Sequence, residues 1–127
     1  MQDIVLSVTK STPAIETDWL QGRLSLRGDS YPENAFEFFE PVLQWVDAYL
    51  SETEKPLDVE LALLYLNTSS IRILMDLFDE LEEAHRAGRS VSLSWHYEAG
   101  NERMAELAEE FREDCSFPFA VLKQQPA

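Results

Sequence analysis

Leu64-Tyr65-Leu66-Asn67-Thr68-Ser69-Ser70-Ile71-Arg72 joins an apolar segment to a long amphipathic one across three successive hydroxyls. Upstream, Val59 to Leu66 is apolar almost throughout after Glu60, the pattern of a central strand covered on both faces. Downstream, from about Ser70 to Ala87, Ile71, Leu74, Met75, Phe78 and Leu81 recur at helical spacing. Asp76, Asp79, Glu80, Glu82 and Glu83 occupy the other side, and Gly88 supplies a stop. Val91-Ser92-Leu93-Ser94-Trp95 alternates as the next strand. Strand, helix and strand in this order predict a right-handed parallel crossover, and so an α/β fold.

The junction also carries a functional reading. A helix start offers unpaired backbone N–H groups and the positive end of the helix dipole. A phosphate on a hydroxyl there is well received and adds about −2 of charge. The ordinary use of one such hydroxyl is to cap the helix. Three exceed what a cap needs, which makes the junction a candidate switch. From the residues alone, either Thr68 or Ser69 suits the cap position with the other facing outward, and Ser70 falls inside the helix. Arg72, four residues beyond Thr68, is within reach of a phosphate on it, although a solvated charge accounts for it equally well.

Around this unit the chain reads as a single domain over residues 1–127. Ile4 to Thr9 alternates weakly, Ala14 to Thr17 is short and extended, and Arg23 to Arg27 alternates cleanly between Gly22 and Gly28. The short Asp18–Gly22 connection predicts an antiparallel hairpin. Tyr31-Pro32-Glu33-Asn34 is a helix-entry composition. Phe36, Phe39, Leu43, Val46 and Leu50 then mark one helix face, with Phe38, Val42, Trp45 and Tyr49 as a second apolar row. Pro41 within that pattern predicts a kink or the start of a second segment. A last helix spans about Asn101 to Glu113, with Met104, Leu107, Ala108 and Phe111 on one face. Phe117 to Leu122 closes as an edge strand beside Pro118. The expected architecture is a single-domain mixed sheet of about six strands with three packed helices.

The charge balance of 24 acidic against 10 basic residues, formally −14, argues against nucleic acid or an anionic membrane as partner. It admits basic protein partners and suits a protein that is monomeric when free. One cysteine, Cys115, excludes an internal disulfide. Met1 to Pro13 lacks the basic-then-apolar pattern of a secretory signal, and no apolar run approaches the roughly 20 residues of a spanning helix. These features point to a cytoplasmic protein without membrane insertion.

Catalytic constellations are missing from the sequence. His85 and His96 share no metal-type spacing with each other or with Cys115. His85 falls near a helix end, where a partly charged imidazole complements the dipole. His96 stands between Trp95 and Tyr97 just after a strand. There is no Gly-x-Ser-x-Gly elbow, no Walker loop and no glycine-rich dinucleotide turn. Cys115, between acids and apolar residues, has surroundings that raise a thiol's pKa. The expectation is a protein that is not an enzyme and holds no metal or cofactor.

Three stretches together resemble the SiaC family of bacterial regulatory phosphoproteins. Gly28-Asp29-Ser30-Tyr31-Pro32-Glu33-Asn34 with Phe38-Phe39-Glu40-Pro41-Val42-Leu43-Gln44-Trp45-Val46 is similar to its opening motif. Tyr65-Leu66-Asn67-Thr68-Ser69-Ser70 is similar to its phosphorylation motif, and Trp95-His96-Tyr97, Asn101 to Phe111 and Phe117-Pro118-Phe119 to its C-terminal signature. Leu66 and Arg72 stand where an aromatic and a lysine are commoner. The resemblance implies a fold like the STAS domains of anti-sigma-factor antagonists. It implies phosphorylation at Thr68 by a Ser/Thr protein kinase, reversal by a PP2C-type phosphatase, and activation of a diguanylate cyclase by the unphosphorylated form, with consequences for cyclic di-GMP and surface attachment. Asn67, Thr68, Ser69, Ser70 and Arg72 would then form the switch surface, with Ser69 and Ser70 serving capping or kinase recognition. Two other functions compete with this one: an antagonist in a sigma-factor pathway, and a small enzyme using the carboxylate-rich surface.

Overall fold

The computed structural model describes residues 1–124 and contains the crossover: strand β4 (Leu57–Leu66) pairs in parallel with β5 (Val91–Glu98), and helix α2 (Thr68–Arg86) lies between them in the chain. The other elements are β1 (Val5–Leu6), β2 (Ala14–Asp18), β3 (Arg23–Ser30), α1 (Ala35–Glu52), α3 (Glu102–Glu113) and β6 (Phe119–Gln124). The six strands stand side by side in chain order. The first two pairings are antiparallel and the last three parallel, so the mixed sheet and the edge position of β6 are as expected. The predicted hairpin joins β2 to β3. Gly22, at φ +71°, is required there because a Cβ would collide with the Pro56 carbonyl and the Tyr49 hydroxyl.

Right-handed crossovers repeated in one direction place every helix on the same face of a sheet. Burial follows that rule. Leu24 and Leu26 of β3, Leu57, Val59, Leu61 and Leu63 of β4, and Val91, Leu93 and Trp95 of β5 are buried, while their alternating neighbours are half-buried or exposed. The strand expected to be covered on both faces is therefore covered on one. Its other face carries Asp58 and Glu60, with Arg23 3.3 Å from Glu60 across the β3–β4 pair. Apolar Ala62, Leu64 and Tyr65 made β4 look more enclosed than it is.

Other expectations need correction. The first strand shrinks from Ile4–Thr9 to two residues, because a turn closed by Thr9 and Thr12 ends it: the Thr12 N–H donates to Thr9 Oγ1 at 3.0 Å. Helix α1, capped by Asn34 (Glu37 N–H to Asn34 Oδ1, 3.0 Å), runs through Pro41 without dividing. Its deepest residues are Ala35, Phe39, Val42, Trp45, Val46 and Tyr49, so the row treated as secondary is the more buried, and Phe36 is 62% exposed. Likewise α2 buries Ile73 and Leu77 beside Leu74, Phe78 and Leu81, and exposes half of Met75. Helical spacing fixes the period but leaves the choice between two adjacent apolar rows to the packing partner.

The stop at Gly88 is a paired C-terminal cap. The Gly88 N–H donates to the His85 carbonyl and the Arg89 N–H to the Ala84 carbonyl. Arg89 then reaches the C-terminal end of α1, donating to the carbonyls of Leu50 and Lys55 at 2.8 Å and to Thr53 Oγ1 at 2.8 Å. Between these helix ends lies an open groove of about 730 Å3 that Asp47 and Glu80 share. Burial pushes the Glu80 carboxyl up to about 7 from an ordinary 4.5, and the Asp47 charge, a hydrogen bond to Asp47 and the Glu83 charge add to the effect. The folded state thus holds a proton that the unfolded state releases between those pH values. Stability from this group is complete below pH 4.5 and falls as pH rises through 7. Glu80→Gln should raise the melting temperature relative to wild type at pH 8 and leave it unchanged at pH 4, in parallel thermal melts.

Candidate functional site

The strand-to-helix junction is shaped by a bulge. Strands β3 and β4 pair in step as far as Gly28 and Leu63, after which Asp29 lies opposite Tyr65 and Leu64 has no partner on β3. The extra residue reverses the alternation: Leu63 and Leu66 point into the core, whereas Leu64 and Tyr65 are exposed. Asn101 makes use of the disruption. Its Nδ2 donates to the Leu64 carbonyl at 3.0 Å while its Oδ1 accepts the Met104 N–H at 3.3 Å, so one side chain caps α3 and pins it to the end of β4.

The helix cap is Asn67, which replaces the expected Thr68 or Ser69. Asn67 Oδ1 accepts the Ser70 N–H at 2.9 Å, its carbonyl accepts the Ile71 N–H, and its own N–H donates to the Ser30 carbonyl. Asparagine is as good a cap as serine, and its position one residue earlier starts the helix at Thr68. The three hydroxyls then divide. Thr68 and Ser69 are exposed in the first turn. Ser70 is buried, its Oγ 2.7 Å from the Oγ of Ser30 at the end of β3. Ser70 is therefore part of the floor of the junction and is closed to a kinase or a partner, contrary to the expectation that it joins the switch surface. The Thr68 and Ser69 N–H groups have no hydrogen-bond partner among the described residues, as first-turn donors do not.

Arg72 is exposed on α2 and makes no ion pair or side-chain hydrogen bond among the described residues. It shares a helix face with Thr68. The structure adds a group that the sequence reading did not place in the site. Tyr31 meets Tyr65 edge to face with ring centroids 5.9 Å apart, and the Arg103 guanidinium lies over the Tyr65 ring 5.9 Å from its centroid. The available signal was Leu63-Leu64-Tyr65-Leu66 itself: four successive large apolar residues cannot all face one core in a strand.

Away from the junction, His85 is half-buried against Phe117, and His96 lies within β5 instead of after it, beside Arg27 and Glu60 on the uncovered face. Burial pushes the Cys115 thiol up to about 11, with the Glu82, Asp114 and Asp79 charges adding to it, so the thiolate is scarce at neutral pH. Among the described residues no cluster of His, Cys, Asp or Glu is arranged to hold a metal, and no helix is long and apolar enough to cross a membrane. At the junction the available chemistry is two exposed hydroxyls at a helix start, with no base hydrogen-bonded to them among the described residues.

An α/β domain whose distinctive feature is an exposed hydroxyl corner, and not a cleft, has the form of a regulatory protein. The model of the SiaC family regulatory phosphoprotein matches residues 6–124, and the chain belongs to that family. An uncharacterised protein of Pseudomonas aeruginosa is 61% identical over 121 residues, covering 95% of this chain and 96% of its own. SiaC of Pseudomonas aeruginosa is 58% identical with a TM-score of 0.92, over 98% of this chain and all of that one. A chain in the crystal structure of the diguanylate cyclase SiaD in complex with its activator SiaC, from the same organism, is 60% identical with a TM-score of 0.93, over 96% of this chain and all of its own.

The division of the hydroxyls predicts different costs of removal. Ser70→Ala leaves Ser30 unpaired in the core and should destabilise by about 1–3 kcal/mol. Asn67→Ala should cost about 1 kcal/mol through the lost cap. Ser69→Ala should stay within about 0.5 kcal/mol of wild type. Urea unfolding of the three variants measures the order.

Proposed function

We propose that this protein is a non-enzymatic, phosphorylation-controlled partner switch acting in the cytoplasm. In this reading the unphosphorylated form binds and activates a diguanylate cyclase. A Ser/Thr protein kinase modifies Thr68 and thereby blocks the interaction, and a PP2C-type phosphatase restores it. The observation that carries the reading is the relation, at 60% identity over nearly the whole chain, to a complex in which SiaC is the activator of the cyclase SiaD. The exposure of Thr68 beside the free N–H groups of α2 supports it from the side of chemistry.

The energetics suit an on/off device. A neutral hydroxyl is buried cheaply under a partner when it is hydrogen-bonded. A phosphate brings charge and three strong acceptors, which a surface shaped for a hydroxyl leaves unpaired. An unpaired buried charge costs roughly 3–5 kcal/mol, about two to four orders of magnitude in dissociation constant. Thr68 takes no part in the core, and the cap and floor of the junction belong to Asn67 and to the Ser30–Ser70 pair. Modification should therefore change the docking surface and leave the fold in place.

Cyclic di-GMP synthesis by the cognate cyclase, with wild type, Thr68→Ala and Thr68→Asp at equal concentration, tests the reading. Wild type and Thr68→Ala should stimulate, whereas Thr68→Asp should lose at least tenfold of the stimulation while still melting cooperatively. Equal stimulation by all three would move the switch away from Thr68. Stimulation by none, with binding to an anti-sigma kinase instead, would replace this reading by that of a sigma-pathway antagonist.

A further inference from the structure

The seven arginines are not equivalent. Arg23, Arg27, Arg86 and Arg112 face carboxylates within 4.0 Å. Arg89 is held by the end of α1. Arg72 and Arg103 alone have no anionic or hydrogen-bonding partner for their guanidiniums among the described residues, in a chain with 24 acidic residues. Both belong to the same end of the fold: Arg72 lies just beyond the first turn of α2, and Arg103 in the first turn of α3, which Asn101 pins to β4. Arg103 is also held over an exposed ring. Tyr31, Tyr65 and Arg103 come from three separate segments and adjoin in turn, Tyr31 edge to face with Tyr65 and Arg103 near the Tyr65 ring, with both tyrosine rings open to solvent.

Tyrosine and arginine are the residues that most often carry the binding energy of an interface. A guanidinium held against a ring has lost part of its freedom already, which lowers the entropy cost of docking on it. We propose that Tyr31, Tyr65 and Arg103 form the anchor with which the unphosphorylated protein grips its cyclase, the cyclase supplying an apolar surface that carries a carboxylate for Arg103. This inference rests on the switch reading above. Charge complementarity selects the partner's chemistry: the surrounding protein is strongly acidic, and these two guanidiniums are the arginines left with neither a counter-charge nor a hydrogen bond among the described residues. A phosphate on Thr68 supplies the missing anion from within, first to Arg72 on its own helix face, and sets a like charge against the incoming carboxylate. The modification would then act partly by competition for cations and partly by desolvation.

Calorimetric titration of the cyclase with wild type, Arg103→Gln, Tyr65→Ala and Arg27→Gln, at low and high salt, tests the anchor. The Arg103 side chain makes no hydrogen bond among the described residues, so Arg103→Gln should melt as wild type does, and Arg27→Gln on the uncovered sheet face is the control. The expected result is a dissociation constant at least fivefold weaker for Arg103→Gln and Tyr65→Ala at low salt. The Arg103→Gln deficit should shrink at high salt, and Arg27→Gln should stay within twofold. A change below fivefold for Arg103→Gln, or an equal loss for Arg27→Gln, overturns the anchor while leaving the switch reading intact. A wild-type protein that neither binds nor stimulates the cyclase overturns both.

Discussion

The arrangement depends on a rule of handedness. Strands β3 to β6 are parallel and adjacent in chain order, so every connection moves the same way across the sheet, and right-handed crossovers must then stack all three helices on one side. Two consequences follow. One face of the sheet is left to polar and charged residues that pair across strands. The helix N-termini collect at a single edge, where the parallel strands finish. The acidic groove formed by Asp47 and Glu80 lies toward the other end of α2, with Glu80 about 18 Å along the helix from Thr68. A regulatory corner at the strand ends is thus remote from the place where the helices are electrostatically least comfortable.

Within that frame the bulge at Leu64 decides what the corner presents. Without the extra residue, the alternation of β4 would turn Tyr65 toward the core and Leu66 toward solvent. With it, Leu66 seals the core, Tyr65 is available to Tyr31 and Arg103, and the freed Leu64 carbonyl finds Asn101. Below this surface the Ser30–Ser70 pair and the Asn67 cap tie β3, β4 and α2 together by hydrogen bonds that a modification of Thr68 does not touch. The exposed hydroxyls and the groups that hold the junction together are on neighbouring residues of one helical turn.

Much of this was legible in the chain. The strand–helix–strand order, the hairpin at Gly22, the stop at Gly88 and the edge strand after Pro118 all follow from local signals that tertiary packing had no reason to override. The rotation of α1 and α2 about their axes was not legible, since each carries two apolar rows and only the sheet chooses between them. Phe36 and Met75 were assigned inward on spacing alone and are largely exposed. In the candidate site, pattern alone points to Thr68 and Arg72, but by pattern the three hydroxyls look interchangeable. What separates them is Ser30, 40 residues away, whose hydroxyl meets Ser70 and removes it from the surface. Tyr31 and Arg103 were invisible as partners of Tyr65, because the bulge that turns Tyr65 outward is a property of a strand pair and not of one strand.

The net charge of −14 gives the corner its contrast. On a neutral protein, two exposed arginines would pass for ordinary solvated charges. Here four others face carboxylates and a fifth binds the end of α1, and the pair left over lies at the end of the fold that carries the two exposed hydroxyls. Screening at physiological salt confines such effects to roughly 8 Å, so the distant acidic faces scarcely bear on the corner. The charge that matters is local, and in the proposed switch a single phosphate of about −2 would balance the two guanidiniums. The proposed switch would then need no conformational change. The sheet, the cap and the buried serine pair would stay as they are, while the charge presented at the sheet end would change.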